Sequence, residues 1–181
     1  MTISLLSGAA LGYEILLIRL FSIVQWHHFA YMIISLALLG YGASGTFLAV
    51  TQQRFLRHYP QALLLNLTLF ALSTLPCFLL AQRIHFNPEE MLWKWQEALR
   101  LAMIYLLLSL PFFFAANSIA LTLARYRSMI TRVYAADLVG AGVGSLAVLL
   151  LLYLLPPLLA LSALSAVAIA ASQPRRVSVP G

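Results

Sequence analysis

The chain has 181 residues, of which 62% are hydrophobic and only 9% are charged. A soluble domain carries roughly 25% charged residues, so these charges are too few to cover a water-facing surface, and the composition excludes a soluble globular protein. The net charge of +6 therefore bears on orientation in a membrane and does not indicate nucleic-acid binding.

Apolar stretches predict an all-α integral membrane protein with about six transmembrane helices. A helix needs about 20 residues to cross the hydrocarbon core, and continuous apolar runs favour helices over barrel strands. The predicted membrane domain covers 1–172, with spans near 3–24, 29–51, 60–82, 98–124, 134–155 and 157–171, and a cytoplasmic tail covers 173–181. A single helix over 134–171 would be roughly 57 Å long, nearly twice the core thickness, so we divide it at Pro156-Pro157.

Basic residues occupy alternate loops. The arginines that follow the second, fourth and sixth predicted spans are Arg54, Arg57, Arg125, Arg127, Arg132, Arg175 and Arg176. The loop after the first span has no Lys or Arg, and the loop after the third balances its basic residues with acidic ones. Because cytoplasmic loops are enriched in Lys and Arg, this alternation predicts both termini in the cytoplasm of a multi-pass protein of the plasma (inner) membrane.

The first predicted span combines two glycines, Gly8 and Gly12, with two ionisable residues, Glu14 and Arg19. The GxxxG spacing allows a second helix backbone to approach closely. Glu14 lies near the middle of the span and about 140° from Arg19 around the helix, so the two do not pair within it. Such a group marks a polar site inside the membrane. Two interpretations of Glu14 stay open: a buried hydrogen bond between helices, or a proton or transport role.

Small residues also recur in the second and fifth predicted spans. Gly40 and Ser44 are four residues apart, and Ala136, Gly140 and Gly144 repeat that spacing. Residues four apart lie on one helix face, so each set predicts a helix-packing seam.

Two further polar residues lie within predicted spans. Asp137 stands at the cytoplasmic end of the fifth-span seam. It is either a helix-start carboxylate partnered by Arg132 or an ion or proton site. Asn117 follows Pro111 in the fourth span, where a proline kink with a polar neighbour is usually structural.

The remaining candidate motifs do not predict chemistry. His27, His28 and His85 fall on the predicted outer side, but no carboxylate or thiol accompanies them at ligand spacing, so we predict no metal or other cofactor. The glycines at 140–144 do not form a dinucleotide loop, because no strand precedes them. No nucleophile–base pairing stands out, and we predict no catalytic residue.

Three motifs carry a resemblance to a known family: "GYEILLIRLFS", "SLALLGYGASG" and "VYAADLVGAGVGS". Their matching residues are Glu14, Leu17, Arg19, Gly40, Gly42, Gly45, Tyr134, Asp137, Leu138, Gly140 and Gly144. The chain resembles the multi-pass membrane domain fused to spermidine synthase-like aminopropyltransferases. In those proteins the chemistry belongs to a soluble Rossmann-like domain with a glycine-rich loop, which these residues do not include. The resemblance implies a membrane module, either free-standing or a fragment of a longer chain.

Two functions follow as expectations. The first is a non-catalytic membrane module or subunit that lies in the lipid bilayer and packs, through its small-residue faces, against a partner protein or further copies of itself. The alternative is a half-transporter that acts as a dimer, because six spans with both ends inside is the layout of one half of a major-facilitator transporter. An aminopropyltransferase activity would need the soluble domain, so we predict no enzyme activity for this chain alone.

Overall fold

The computed structural model describes residues 2–24, 29–84 and 93–172. They form six α-helices: α1 (Thr2–Val24), α2 (Phe29–Arg57), α3 (Tyr59–Arg83), α4 (Trp95–Arg125), α5 (Ile130–Leu154) and α6 (Pro157–Ser172). The all-helical prediction is confirmed for this part of the chain. Five of the helices, α1 to α5, are long and apolar enough to cross a membrane. Helix α6 has 16 residues, or about 24 Å, which is less than a straight crossing of a core about 30 Å thick needs.

Several helices extend beyond the apolar stretches that predict them. Helix α2 continues past residue 51 to Arg57, α4 begins at Trp95, and α5 begins at Ile130. Backbone hydrogen bonding continues into polar flanking residues, which hydropathy does not detect. In α2 the added turns end with Arg54 and Arg57. Their positive charges interact favourably with the negative, C-terminal end of the helix dipole.

Helix α1 lies at the centre of the bundle. It packs most extensively against α5 and also contacts α6, α2 and α4, while α3 packs between α4 and α6. Its side chains Tyr13, Leu16 and Leu17 are fully buried. Helix α6 is part of the same core, because Ala160 and Leu161 are also fully buried.

Helix α5 lies at the edge of the bundle. Only Gly140 and Val148 are buried along its length, and both are on the side that meets α1. Most of its other side chains are exposed or half-buried. Helices α1 and α5 therefore join along one narrow seam. The candidate site lies on this seam, where Asp137 of α5 meets Ser7 of α1.

Candidate functional site

The seam between α1 and α5 is a contact between backbones. A Cβ atom added at Gly8 would lie 2.8 Å from the carbonyl oxygen of Gly140 and 3.2 Å from the Cα of Gly144. A Cβ added at Gly144 would lie 2.7 Å from the carbonyl oxygen of Gly8. Ordinary Cβ contacts begin near 3.4 Å, so only glycine allows the two helices to approach this closely.

Two other glycines lie in similar close contacts. A Cβ at Gly12 would lie 2.7 Å from Cγ2 of Val148 on α5. A Cβ at Gly40 would lie 2.7 Å from both the Cβ of Phe112 and the carbonyl oxygen of Ser109. Gly40 thus brings α2 against α4, as Gly8 brings α1 against α5.

Three glycines stand apart because a Cβ added to them would meet no atom within 4 Å. They are Gly42 and Gly45 on α2, and Gly142 on α5. Packing among the described residues therefore does not explain why glycine occupies these positions. Glycine inside a helix lowers stability by roughly 0.5–1 kcal/mol relative to alanine, so the positions call for another reason.

Asp137 faces α1 at the end of the α1–α5 seam that lies nearest the N-terminus of α5. Its carboxylate accepts a hydrogen bond from the hydroxyl of Ser7 on α1. Because α5 begins at Ile130, Asp137 lies two turns inside the helix, beyond the reach of its dipole. In the described ranges no ion pair joins Asp137 to Arg132. The structure therefore does not support the interpretation of Asp137 as a helix-start carboxylate paired with that arginine.

Asp137 also lines a cavity of about 290 Å³ between α1, α2, α4 and α5. Three polar side chains contribute to the wall: Ser7, Tyr41 and Asp137. All other lining residues are alanine, leucine or isoleucine. The cavity is therefore apolar, with one carboxylate and two hydroxyl groups in its wall.

Glu14 lies on the same face of α1 as Ser7, two turns further along the helix, at a rise of about 10 Å. It is half-buried, and within the parts of the chain that are described it has no hydrogen-bond or ion-pair partner. Tyr41 and Asp137 line the same cavity, whereas Glu14 is not part of its wall. Arg19 is exposed towards the other end of α1 and does not pair with Glu14.

Asn117 joins α4 to α2. Its side chain is 2% exposed, and its Oδ1 accepts a hydrogen bond of 2.8 Å from the hydroxyl of Ser44. Ser44 is itself buried. The pair extends the contact that Gly40 makes one turn earlier on α2, so the role of Asn117 in this geometry is to hold two helices together.

Three residues at or near the site were not predicted from the sequence. Ser7 and Tyr41 look like ordinary residues of apolar helices, and only the approach of α5 and α4 places them around Asp137. Tyr13 is fully buried, and its hydroxyl has no hydrogen-bond partner among the described residues. The only sequence feature that points to Tyr13 is its position directly before Glu14 in the first predicted span.

The candidate metal ligands His27, His28 and His85 lie outside the described residues, as does the tail over 173–181. Across residues 2–24, 29–84 and 93–172, no group of three or more His, Cys, Asp or Glu side chains lies close enough to hold a metal ion.

Comparison of the chain with protein-family models, with curated proteins and with solved structures finds no match.

Proposed function

We propose that this chain is a non-catalytic membrane subunit that associates through a face of α2 with a partner protein or with further copies of itself. The observation that carries this proposal is the division of the glycines into two sets. Five occupy close helix contacts inside the bundle, whereas Gly42, Gly45 and Gly142 have open space in front of them, and two of these three, Gly42 and Gly45, lie three residues apart on one side of α2.

The open face of α2 has the composition of a helix-packing surface. Thr46 and Ala49 are exposed on it together with Gly42 and Gly45, at spacings of three and four residues that align along one side of a helix. Lipid tails gain nothing from small side chains, whereas a second helix can approach the backbone closely there and gain dispersion contacts. A membrane-embedded partner helix therefore explains the glycines that packing within the chain does not.

The proposed orientation places both termini in the cytoplasm of an inner membrane. It requires the 16-residue α6 to complete a sixth crossing, and a helix shorter than the hydrocarbon core is accommodated by local thinning of the bilayer. Exposed arginines gather at the end of the bundle where α2 meets α3 and α4 meets α5: Arg54, Arg57, Arg125, Arg127 and Arg132. At the opposite end Arg83, Lys94 and Arg100 are accompanied by Glu97, which pairs with Arg100 at 2.5 Å. The excess of unbalanced arginine at the first end supports its assignment to the cytoplasm.

The association is tested by purifying the full chain gently from its own membrane and identifying what remains bound. The double variant Gly42→Leu and Gly45→Leu should lose the bound protein, because each new side chain holds the partner helix away. Leu72→Phe, on an exposed face of α3, should keep it. If the double variant retains the same partner at the same stoichiometry, the α2 face is not the binding surface.

A second candidate function, a half-transporter that works as a dimer, is favoured by the cavity beside Asp137. A carboxylate within a membrane-spanning helix marks substrate and ion pathways in many membrane proteins, and six spans match one half of a major-facilitator transporter. This candidate predicts solute accumulation in vesicles that contain only this chain. Glu14→Gln should then abolish uptake while the amount of assembled protein stays unchanged. Vesicles that accumulate no solute while the chain keeps its partner would favour the subunit role.

A further inference from the structure

The cavity between α1, α2, α4 and α5 contains a carboxyl group that pairs with no basic residue among those described. Asp137 is the only acidic residue in its wall. Its hydrogen-bond donor, Ser7, is neutral, and no described basic residue pairs with it. Asp137 is half-buried, and a carboxylate against apolar walls is stabilised by a positive partner.

The wall chemistry restricts the kind of cation. The oxygen atoms come from three side chains, those of Ser7, Tyr41 and Asp137. Together they offer hydrogen-bond acceptors to an ammonium group, which carries N–H donors. Ca²⁺ takes six to eight oxygen ligands and Mg²⁺ takes an octahedral set, more than these side chains provide. A single carboxylate balances a single positive charge.

The size and the remaining walls indicate an organic group. A volume of about 290 Å³ is roughly ten times the volume that one water molecule occupies in the liquid. It lies just below the range of small-molecule sites, which are about 300–1,000 Å³ and mostly apolar with a few placed polar groups. Apolar side chains such as Leu11 and Ile119 line the cavity and would cover a short alkyl chain.

We propose that this cavity binds a small organic monocation, an alkylammonium of about four to six carbons. The ammonium group bonds to the Asp137 carboxylate and the two hydroxyl groups, and its alkyl chain lies against the aliphatic walls. The site is separate from the open α2 face, because Gly42, Gly45, Thr46 and Ala49 are not among the residues that line it. Ligand binding in the cavity and protein association through α2 are therefore tested by different variants, and either can fail without the other.

The test is equilibrium dialysis of isotope-labelled n-butylammonium against the full chain in lipid nanodiscs, with empty nanodiscs subtracted. We expect saturable binding that neither butan-1-ol nor an equal concentration of Na⁺ displaces. Asp137→Asn keeps an acceptor for Ser7 but removes the charge, and should weaken binding at least about tenfold, since hydrogen bonds to charged groups contribute roughly twice what neutral ones do. Ser145→Ala, whose hydroxyl bonds to its own helix at the carbonyl of Gly142, is the matched control and should leave binding unchanged.

A second variant keeps the proposal testable if Asp137→Asn does not fold. Ala116→Leu enlarges a wall residue on α4 without altering any polar group, and should also weaken butylammonium binding. Equal displacement by butan-1-ol would overturn the proposal in favour of a plain apolar cleft. Displacement by Na⁺ at equal concentration would overturn the organic ligand class, and the absence of saturable binding would overturn the site itself.

Discussion

Replacing a single glycine on α5 tests the contact that holds this helix to the bundle. In Gly144→Ala the new methyl group overlaps the Cα of Gly8 and lies 2.7 Å from its carbonyl oxygen. The helices must separate by at least about 0.7 Å before that oxygen reaches the 3.4 Å of ordinary contact. Because both sides of the contact are backbone, no side chain can rotate away, and the strain is shared along the whole α1–α5 seam.

The matched control is Gly142→Ala, on the same helix two residues earlier. Its methyl group meets nothing within 4 Å. Both substitutions gain the same helix propensity, up to about 1 kcal/mol, so the difference between them isolates the overlap. Overpacking of this kind costs about 1–3 kcal/mol, and separating a seam by 0.5–1 Å forfeits a quarter to a half of each contact well. We therefore expect Gly144→Ala to be about 2–3 kcal/mol less stable than Gly142→Ala.

The chain supplies its own reporter for this measurement. Cys77 is its one cysteine, and it is 5% exposed on α3, so a maleimide dye reacts with it only as the bundle opens. A change of one kcal/mol in the free energy of unfolding shifts the thermal unfolding midpoint by about 2–4 °C in a chain of this size. The unfolding midpoints of the two variants should therefore differ by roughly 4–12 °C. Equal midpoints would refute the backbone contact between α1 and α5.

Three further predictions use similar measurements. Ser44→Ala removes the donor to Asn117 and should lower the free energy of unfolding by about 1 kcal/mol, within the range for hydrogen bonds between membrane helices. An unchanged thermal unfolding midpoint, measured by labelling of Cys77, would argue against the hydrogen bond. Tyr13→Phe removes a buried hydroxyl that has no described partner, so stability should stay the same or rise, and a loss above about 1 kcal/mol would indicate a hidden partner. For orientation, an impermeant maleimide added outside should label a cysteine placed at Trp93 but not one placed at His58, and the reverse pattern would invert the proposed topology.

The fold was largely predictable because long apolar runs leave few alternatives. Each run must become a helix if its backbone is to be satisfied in lipid, and Pro156 separates α5 from α6 where its missing N–H requires a break. The helix ends were less predictable. Arg57 ends α2 six residues beyond the apolar run, because backbone hydrogen bonding continues through polar side chains that a hydropathy pattern does not include.

The site was only partly predictable. Spacing alone singles out Asp137 and Gly144 as unusual residues on one helix face, but it cannot say which helix they meet. Ser7 is 130 residues away from Asp137 in the chain, and nothing in the local pattern of α1 marks it as a partner. Tyr41 reaches the same cavity from α2. The cavity depends on how four helices are arranged, which is a property of tertiary packing and leaves no mark in any single stretch of sequence.

The proposal that this chain acts as a subunit is tested most directly by its mass in its native membrane. The chain is extracted with its surrounding lipid, without detergent exchange, and the particle is weighed by native mass spectrometry. The account predicts a protein mass well above the 20.0 kDa of one chain, either a defined multiple of it or that mass plus one partner, and a return to 20.0 kDa when Gly42 and Gly45 are both leucine. A wild-type particle that contains one chain and lipid alone would contradict it.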